Sequence, residues 1–375
     1  MRLILVLCLL IINVNASAES KWIDNLNIFG DFRYRHENRQ VGSSRHRVRN
    51  NIRARVNLGI NLSDDLDAEM RFTSGSGTSP RGTNQWLGDG ATDGFQKKPF
   101  NLSRAFFKWK AFDNASFYAG KMAQPFYKVG KNDLMWDHDV SPEGVAFMYK
   151  QALSDNHHLY FNTYEFWVRE EKTLDDIHLT GAQLRFSGDY SNSSFNITVA
   201  NFYYSHIKDA ETIWSSTTGY GNTISTKDPD GTANSGDEYT GYDSEFKLLE
   251  AGIDFTLKLD FAPIGLFFNM IDNQAVDTEG KANNFGVSLG ATKKKGDWKV
   301  SYDYRKMERD SALGALVDAD YAEGNTDSKG HKLRVDYMFK DNFKFSISHF
   351  DNETAVSSGK PVDFDKTMFD FFATF

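Results

Sequence analysis

The chain has 375 residues and a formal net charge of −8, and 40% of its residues are hydrophobic. An acidic balance argues against nucleic acid as a partner, because phosphate backbones are bound by clustered Lys and Arg. The mean hydropathy is −0.52, and no segment approaches the roughly 18–20 consecutive apolar residues of a membrane helix. Hydropathy alone therefore indicates a secreted soluble protein, but it is insensitive to membrane strands, in which apolar and polar residues alternate and cancel.

The first 18 residues have the pattern of a secretory signal peptide. Arg2 precedes the apolar run Leu3–Ile12, and small residues at Ala16 and Ala18 form a cleavage site. We predict that residues 1–18 are removed and that residues 19–375 form one exported domain. The only cysteine, Cys8, lies within the predicted signal peptide, so the mature chain would have no disulfide.

The mature chain reads as a series of strands in which apolar and polar residues alternate, as in Leu333, Val335 and Tyr337 against Lys332 and Arg334. We predict 16 strands, an even number, as a bacterial single-chain barrel requires. They are 27–37, 47–62, 66–75, 102–112, 116–123, 145–152, 158–167, 179–187, 194–203, 250–259, 263–272, 284–293, 298–306, 332–339, 343–350 and 366–375.

The connections between these strands sort by length. Short turns rich in Asp, Asn, Gly and Ser alternate with longer loops, of which 76–101, 124–144, 205–249 and 307–331 are the longest. Short periplasmic turns that alternate with long external loops are typical of an outer-membrane β-barrel. Alternation alone would also suit a β-sandwich, so strand number, loop sorting and aromatic residues near the strand ends favour the barrel. Sixteen strands enclose an aqueous channel rather than a core of side chains.

If the apolar faces meet lipid, the first strands turn an unusual number of arginines inward. We expect Arg35 opposite Arg47 and Arg33 opposite Arg49 in the first hairpin, an arrangement of like charges that needs water or carboxylates nearby. The inward basic residues are Arg33, Arg35, Arg47, Arg49, Arg53, Arg55, Arg71, Arg104 and Lys108. A solvated strand face explains any single one of them, whereas the whole set predicts a functional wall.

The third long loop, 124–144, is the expected partner of this wall. It carries Asp137, Asp139 and Glu143, which we predict to descend into the lumen opposite the arginines. Charged rings and local fields set ion selectivity in pores, so this loop is a candidate constriction. A loop that only covers the barrel mouth is the alternative.

The last strand has one apolar face, formed by Phe369, Phe371, Ala373 and Phe375. In a closed barrel this strand pairs with the first one and presents its apolar face to lipid. An aromatic edge strand of a secreted β-sandwich is the alternative. We expect Phe371 and Phe375 to form an assembly signal, because a C-terminal Phe on such a strand resembles that of outer-membrane proteins.

Several of these segments resemble the putative porin family of Gram-negative outer membranes. The resemblance rests on Phe29–Arg35, the Arg-rich second strand, Gly120-Lys121, Pro125-Phe126, and Trp136–Asp139 ahead of Glu143–Val145. It implies a β-barrel diffusion channel, and porins of this size are often homotrimers. Outer-membrane lipid, lipopolysaccharide and the barrel assembly machinery would then be its partners.

The predicted function is therefore passive diffusion of ions and small hydrophilic solutes through an outer-membrane channel. A substrate-specific channel, for a sugar or an anionic solute, is the first alternative, and an outer-membrane enzyme is the second. Asp137, His138 and Asp139 are the only catalytic set that the sequence suggests. Glycine-rich phosphate loops, serine-nucleophile elbows and Cys/His clusters are absent from the sequence, so we predict no enzyme, cofactor or metal site.

Overall fold

The computed structural model describes residues 25–89, 94–172, 175–228 and 238–375. The predicted signal peptide lies outside the described residues. The strands are β1 Leu26–Val41, β2 Arg47–Asn61, β3 Leu66–Ser74, β4 Gln85–Trp86, β5 Phe100–Phe112, β6 Ala115–Lys121, β7 Glu143–Ala152, β8 His157–Arg169, β9 Ile177–Asp189, β10 Ser193–Tyr204, β11 Ile224–Lys227, β12 Tyr239–Tyr242, β13 Phe246–Lys258, β14 Pro263–Asn273, β15 Lys281–Gly290, β16 Trp298–Met307, β17 Ser328–Lys340, β18 Phe343–Thr354 and β19 Val362–Thr374. Short 3-10 helices span Val129–Lys131, Gly314–Leu316, Ala322–Gly324 and Val356–Ser358.

Sixteen of these strands form one closed antiparallel barrel. Each pairs with its neighbour in the chain, β4 adds a short pairing to β2, and β11 and β12 form a separate two-stranded sheet. The predicted all-β barrel and its strand number are confirmed. Among the described residues, no helix combines the length and the apolar character that a bilayer-spanning helix needs.

The first and last strands close the barrel. β1 and β19 pair from Asp31 opposite Thr374 to Val41 opposite Phe364. Beyond that ladder, the amide of Gly30 donates to the carbonyl of Phe375 at 2.9 Å, and the amide of Phe375 donates back at 3.1 Å. A Cβ at Gly30 would lie 2.1 Å from the carbonyl oxygen of Arg55, so only glycine fits this close approach.

The alternation of side chains along the strands follows the prediction. On β17, Leu333, Val335 and Tyr337 are 41–47% exposed on the outer surface, whereas Asp336 between them is buried. On β19, Phe371 and Phe375 lie on the outer face, as expected for a surface that meets lipid.

The longer connections lie on one rim of the barrel, and four of them build the site. We number the eight connections on this rim in chain order, so that L2 is 75–99, L3 is 122–142, L5 is 205–245 and L7 is 308–327. The short turns lie on the opposite rim, together with the first residues of β1 and the last residues of β19.

L3 and L7 fold into the barrel instead of standing above it. Leu134 and Trp136 of L3 and Leu313 of L7 are at most 3% exposed and belong to one apolar cluster with inward residues such as Phe166 and Phe202. The expectation that the interior holds water rather than a packed core is therefore wrong for this part of the lumen. The two loops pack against inward apolar residues of the barrel strands and form a core with them.

Candidate functional site

The register of the first hairpin differs from the prediction. Arg33 lies opposite Arg53, not Arg49, and Arg35 does not lie opposite Arg47. The first strand continues to Val41, four residues beyond its predicted end, while the second begins at Arg47 as predicted, and the pairing is shifted by four residues. The predicted ladder of directly opposed arginines is therefore wrong in its pairs.

The observed register places carboxylates opposite arginines. Asp31 of β1 faces Arg55 and accepts hydrogen bonds from two arginines of β2, with its oxygens 2.9 Å from Nη2 of Arg53 and 2.6 Å from Nε of Arg55. Glu37 faces Arg49 and forms an ion pair with it. Two carboxylates thus lie among the inward arginines, although Arg33 still faces Arg53, and they relieve part of the repulsion that the sequence suggested.

Arg35 is buried and forms ion pairs with two carboxylates. Its Nε lies 2.7 Å from an oxygen of Asp370 on β19, and its Nη1 lies 2.9 Å from an oxygen of Asp320 in L7. Lys366 also donates to Asp320, at 2.8 Å. A buried arginine that binds two carboxylates in this way is held in one position, because its planar fork fixes the geometry.

The remaining inward basic residues lie along β3 and β5. Arg71 lies opposite Arg104 and donates to Asn57 at 2.7 Å, while Arg104 donates to Ser141 of L3 at 3.0 Å. Lys108 lies 5.8 Å above an aromatic ring of β6. These three side chains lie on the inner face of the barrel.

Two predicted site residues lie elsewhere. Glu143 is the first residue of β7, in phase with the outward Val145, and it pairs with Lys121 on the outer face of β6. Its predicted descent into the lumen is wrong, because the strand begins before the position at which the sequence ends the loop. Arg47 is exposed at the rim.

The acidic segment of L3 binds the loops beside it. Asp139 accepts hydrogen bonds from Arg55 at 3.0 Å and from the hydroxyl of Thr83 in L2 at 2.6 Å. Asp137 accepts from the backbone amides of Asp139 and Ala319, both at 2.8 Å. These carboxylates therefore fasten L3 to L2, L7 and the arginine wall.

His138 carries the charge that this acidic segment presents to the lumen. The carboxylate of Asp139 raises the pKa of His138 to about 9, Asp137 and Asp133 add to the effect, and burial opposes it. Burial raises the pKa of Asp137 to about 7, and the negative charge of Asp139 acts in the same direction. The imidazole of His138 is therefore protonated at neutral pH.

Asp137, His138 and Asp139 also bring potential metal-ligand atoms within 4.8 Å of one another. The oxygens of both carboxylates already accept hydrogen bonds from Arg55, Thr83 and backbone amides. Their present contacts hold the loop in place, and we assign them no ion.

A charged cavity of about 300 Å³ lies between the barrel wall and the two inner loops. Its wall, from β17 through β19 to β1 and β2, contributes six basic side chains, Arg33, Arg35, Arg53, Lys332, Arg334 and Lys344. Its loop side contributes Asp133 and His138 of L3 and Asp318 and Asp320 of L7. We call this space the charged cavity.

The charged cavity has the transverse polarity that the sequence predicts, but with different acids. Cations lie on the wall and carboxylates lie mainly on the loops, with Asp370 as the acid of the wall. Asp137 and Asp139 do not line it. The loop acids come instead from Asp133 and from L7, which sequence reasoning missed.

A family comparison decides what kind of protein this is. A family described as "Putative porin" matches residues 40–375. The chain belongs to this porin family. With the closed barrel, membership makes the protein a channel-forming porin of the outer membrane. No curated protein matches it.

Solved structures similar to this porin are outer-membrane proteins of low sequence identity. OprB of Pseudomonas putida, in a high-pH structure, shares 11% identity over 96% of this chain and 100% of its own, with a TM-score of 0.61. OmpF of Salmonella typhi, in complex with daunomycin, shares 12% over 94% and 99%, with a TM-score of 0.53. OmpT of Vibrio cholerae, lacking loop L8, shares 12% over 93% and 99%, with a TM-score of 0.51. These likenesses concern the fold alone.

One signal in the sequence of this porin could have identified L7 as an inner loop. Residues 312–317 read Ala-Leu-Gly-Ala-Leu-Val, and all six are buried. A small apolar run is unusual in a loop that faces water, because loops are normally polar and exposed. Such a run therefore indicates a loop that packs against the barrel wall.

Proposed function

We propose that the protein is a passive channel for ions and small hydrophilic solutes, with the charged cavity as its constriction. The observation that carries this proposal is the placement of L3 and L7 inside a closed barrel, where they leave a charged space beside the arginine wall. Charges at a narrow point of a pore set which ions pass. The protein is exported, we propose, by its first 18 residues.

Conductance of the purified protein tests this function. We expect stepwise increases in current when the detergent-solubilised barrel is added to a planar bilayer in KCl. A protein that is folded, as shown by heat-modifiable migration in a gel, and yet gives no current steps would contradict the channel.

The arginines beside Asp31 should control ion selectivity. Neutralising Arg53 and Arg55 to Gln leaves Asp31 and Asp139 without these cations, so the reversal potential under a KCl gradient should move toward cation selectivity. The shift should be larger at low salt than at 1 M, because charges act over roughly 8–10 Å at physiological ionic strength and about 3 Å at 1 M.

A matched control removes two positive charges at the rim, away from Asp31. Arg45 and Arg47 are exposed near the rim, and their double substitution by Gln should leave the reversal potential close to that of the wild type. Equal reversal potentials in the wild type and both double variants would refute the proposed selectivity role.

We do not propose an enzyme. Asp137 and Asp139 are engaged in hydrogen bonds that hold loops, and a catalytic carboxylate needs an oxygen within about 2.6–3.2 Å of the reacting group. The alternative of a selective channel is favoured by one observation, the unequal pairing of charges in the cavity, where the acids are all paired and some cations are not.

We propose that the protein assembles as a homotrimer in outer-membrane lipid and lipopolysaccharide, after insertion by the barrel assembly machinery. A groove of about 710 Å³ on the outer face of the barrel is lined by apolar residues together with Thr163, Glu165, Thr180 and Asn201. Polar groups on a lipid-facing surface are unfavourable, so a second copy is the expected cover. Sedimentation in detergent should give three times the monomer mass, and a monomer mass would exclude the trimer.

A further inference from the structure

Every acid that lines the charged cavity already has a cationic partner. The pairs are Asp370 with Arg35, Asp320 with Arg35 and Lys366, Asp318 with Arg305, and Asp133 with Lys128 and His138. These carboxylates are therefore neutralised within the protein. A cationic solute would have to compete with side chains that are already in place.

The cations of the cavity are not fully paired. Within the described part of the chain, neither Arg33 nor Lys332 has a carboxylate within 4 Å. Arg33 is only 6% exposed; its Nη2 donates to the amide oxygen of Asn84, and its Nε has no hydrogen-bond partner. Arg334 and Lys344 share one carboxylate, Asp336, at 2.9 and 3.4 Å. The cavity therefore has a surplus of positive charge, and part of it is held on a buried guanidinium that faces a space large enough for a solute.

The same wall also has an apolar surface. Phe372 lies beneath two cations, with Arg53 at 5.4 Å and Lys344 at 5.6 Å from its ring centre. Lys332 lies 5.3 Å from the ring of Phe350, and both rings line the cavity. Cations above aromatic rings form a layered surface, against which a flat group can pack while a charged group reaches the basic side chains.

We propose that the charged cavity binds small organic carboxylates that carry a flat apolar group, and that these are the preferred solutes of the channel. This inference rests on the proposed function and specifies its solute class. The carboxylate lies among Arg33, Lys332, Arg334 and Lys344, and the flat group packs against Phe372. A volume of about 300 Å³ holds a small aromatic acid but not an oligosaccharide.

Competition with the KCl current provides the test, with benzoate and acetate as probes. Benzoate should reduce the single-channel current of the wild type at a concentration roughly tenfold lower than acetate, because burying one face of its ring contributes apolar contact. Benzamide, which lacks the charge, should not reduce the current. Equal effects of benzoate and acetate would overturn the apolar part of the proposal.

Three variants test whether benzoate blocks the current by binding in the charged cavity. K332Q and R33Q should weaken the block by benzoate by roughly tenfold or more, since each removes a charge-assisted hydrogen bond. F372A should lose the preference for benzoate over acetate while acetate acts as before. R45Q, which removes an exposed charge near the rim, should behave as the wild type. Unchanged block in both K332Q and R33Q would overturn the site.

Two further probes separate neighbouring solute classes. Glycine is a zwitterion of similar size to acetate, and a stronger effect of glycine would show that the loop acids take part, contrary to the proposal. Inorganic phosphate acting as strongly as benzoate would show an anion site with no apolar selectivity, which also overturns it.

Binding measured without a bilayer separates the two proposals. Saturation-transfer NMR on the detergent-solubilised protein should show contact between the barrel and the ring protons of benzoate. Current steps in KCl without any effect of benzoate would refute only the solute class. Benzoate contact in a folded protein that never conducts would refute only the channel.

Discussion

Deletion of Phe375 is expected to lower the yield of folded, membrane-inserted barrel sharply, and so is the double substitution F371S/F375S. Phe375 forms two backbone hydrogen bonds with Gly30 at the closing seam. The ring of Phe371 packs 5.1 Å from that of Phe345 on the outer face. Both changes remove contacts at the seam where the last strand must pair with the first. The serines also place hydroxyl groups on the lipid-facing surface.

Heat-modifiable gel migration of outer-membrane fractions measures this yield. F112S is the matched control, because Phe112 is 68% exposed near a short turn between β5 and β6, away from the seam. It should assemble nearly as the wild type does. Normal yield of the folded form in both seam variants would show that the last strand is not the assembly signal.

Replacement of Arg81 by Ala should open the loops over the lumen and raise the single-channel conductance. Arg81 of L2 is 4% exposed, and its Nη1 donates to the carbonyls of Gly314, Val317 and Gly324 in L7 at 2.8–3.1 Å. Its guanidinium lies about 5 Å from the rings of Trp214 and Tyr220 in L5. One side chain therefore joins three loops.

The loss of Arg81 removes the donors of three carbonyls, and a buried unsatisfied group costs about 1–3 kcal/mol. The barrel strands keep their pairing, so the variant should fold while its current becomes larger and noisier in bilayer recordings. R45A is the control, because Arg45 is exposed near the same rim. Identical conductance of R81A and R45A would mean that L7 is held without Arg81.

The strand pattern was predictable because one face of each strand meets lipid and the other does not. This is why Ile28 and Phe32 point outward and Arg33 and Arg35 inward, as the alternation indicates. The hairpin register was not predictable in the same way, because a shift of four residues preserves every face. Only the position of the turn distinguishes the two registers.

The loop contacts could not be predicted from the sequence for a different reason. Asp320 and Asp137 lie in segments without a periodic pattern, and their partners, Arg35 and Ala319, are far away in the sequence. No local rule indicates that L7 enters the barrel, although its apolar run hints at burial. The sequence places Glu143 in the loop because Gly144 has no side chain, so the alternation of apolar and polar residues becomes visible only from Val145 onward.

The partners of Arg35 have a consequence for the order of folding. Asp320 lies 285 residues further along the chain, and Asp370 lies 335 residues further along. Contacts with such long sequence separation form late, because a long loop must close before they can form. The hairpin of β1 and β2 therefore keeps an exposed guanidinium until the final strand arrives. We expect its charge to be neutralised in the same cooperative step that closes the cylinder, so a chain stalled before residue 320 would present its first strands as an open, positively charged ribbon.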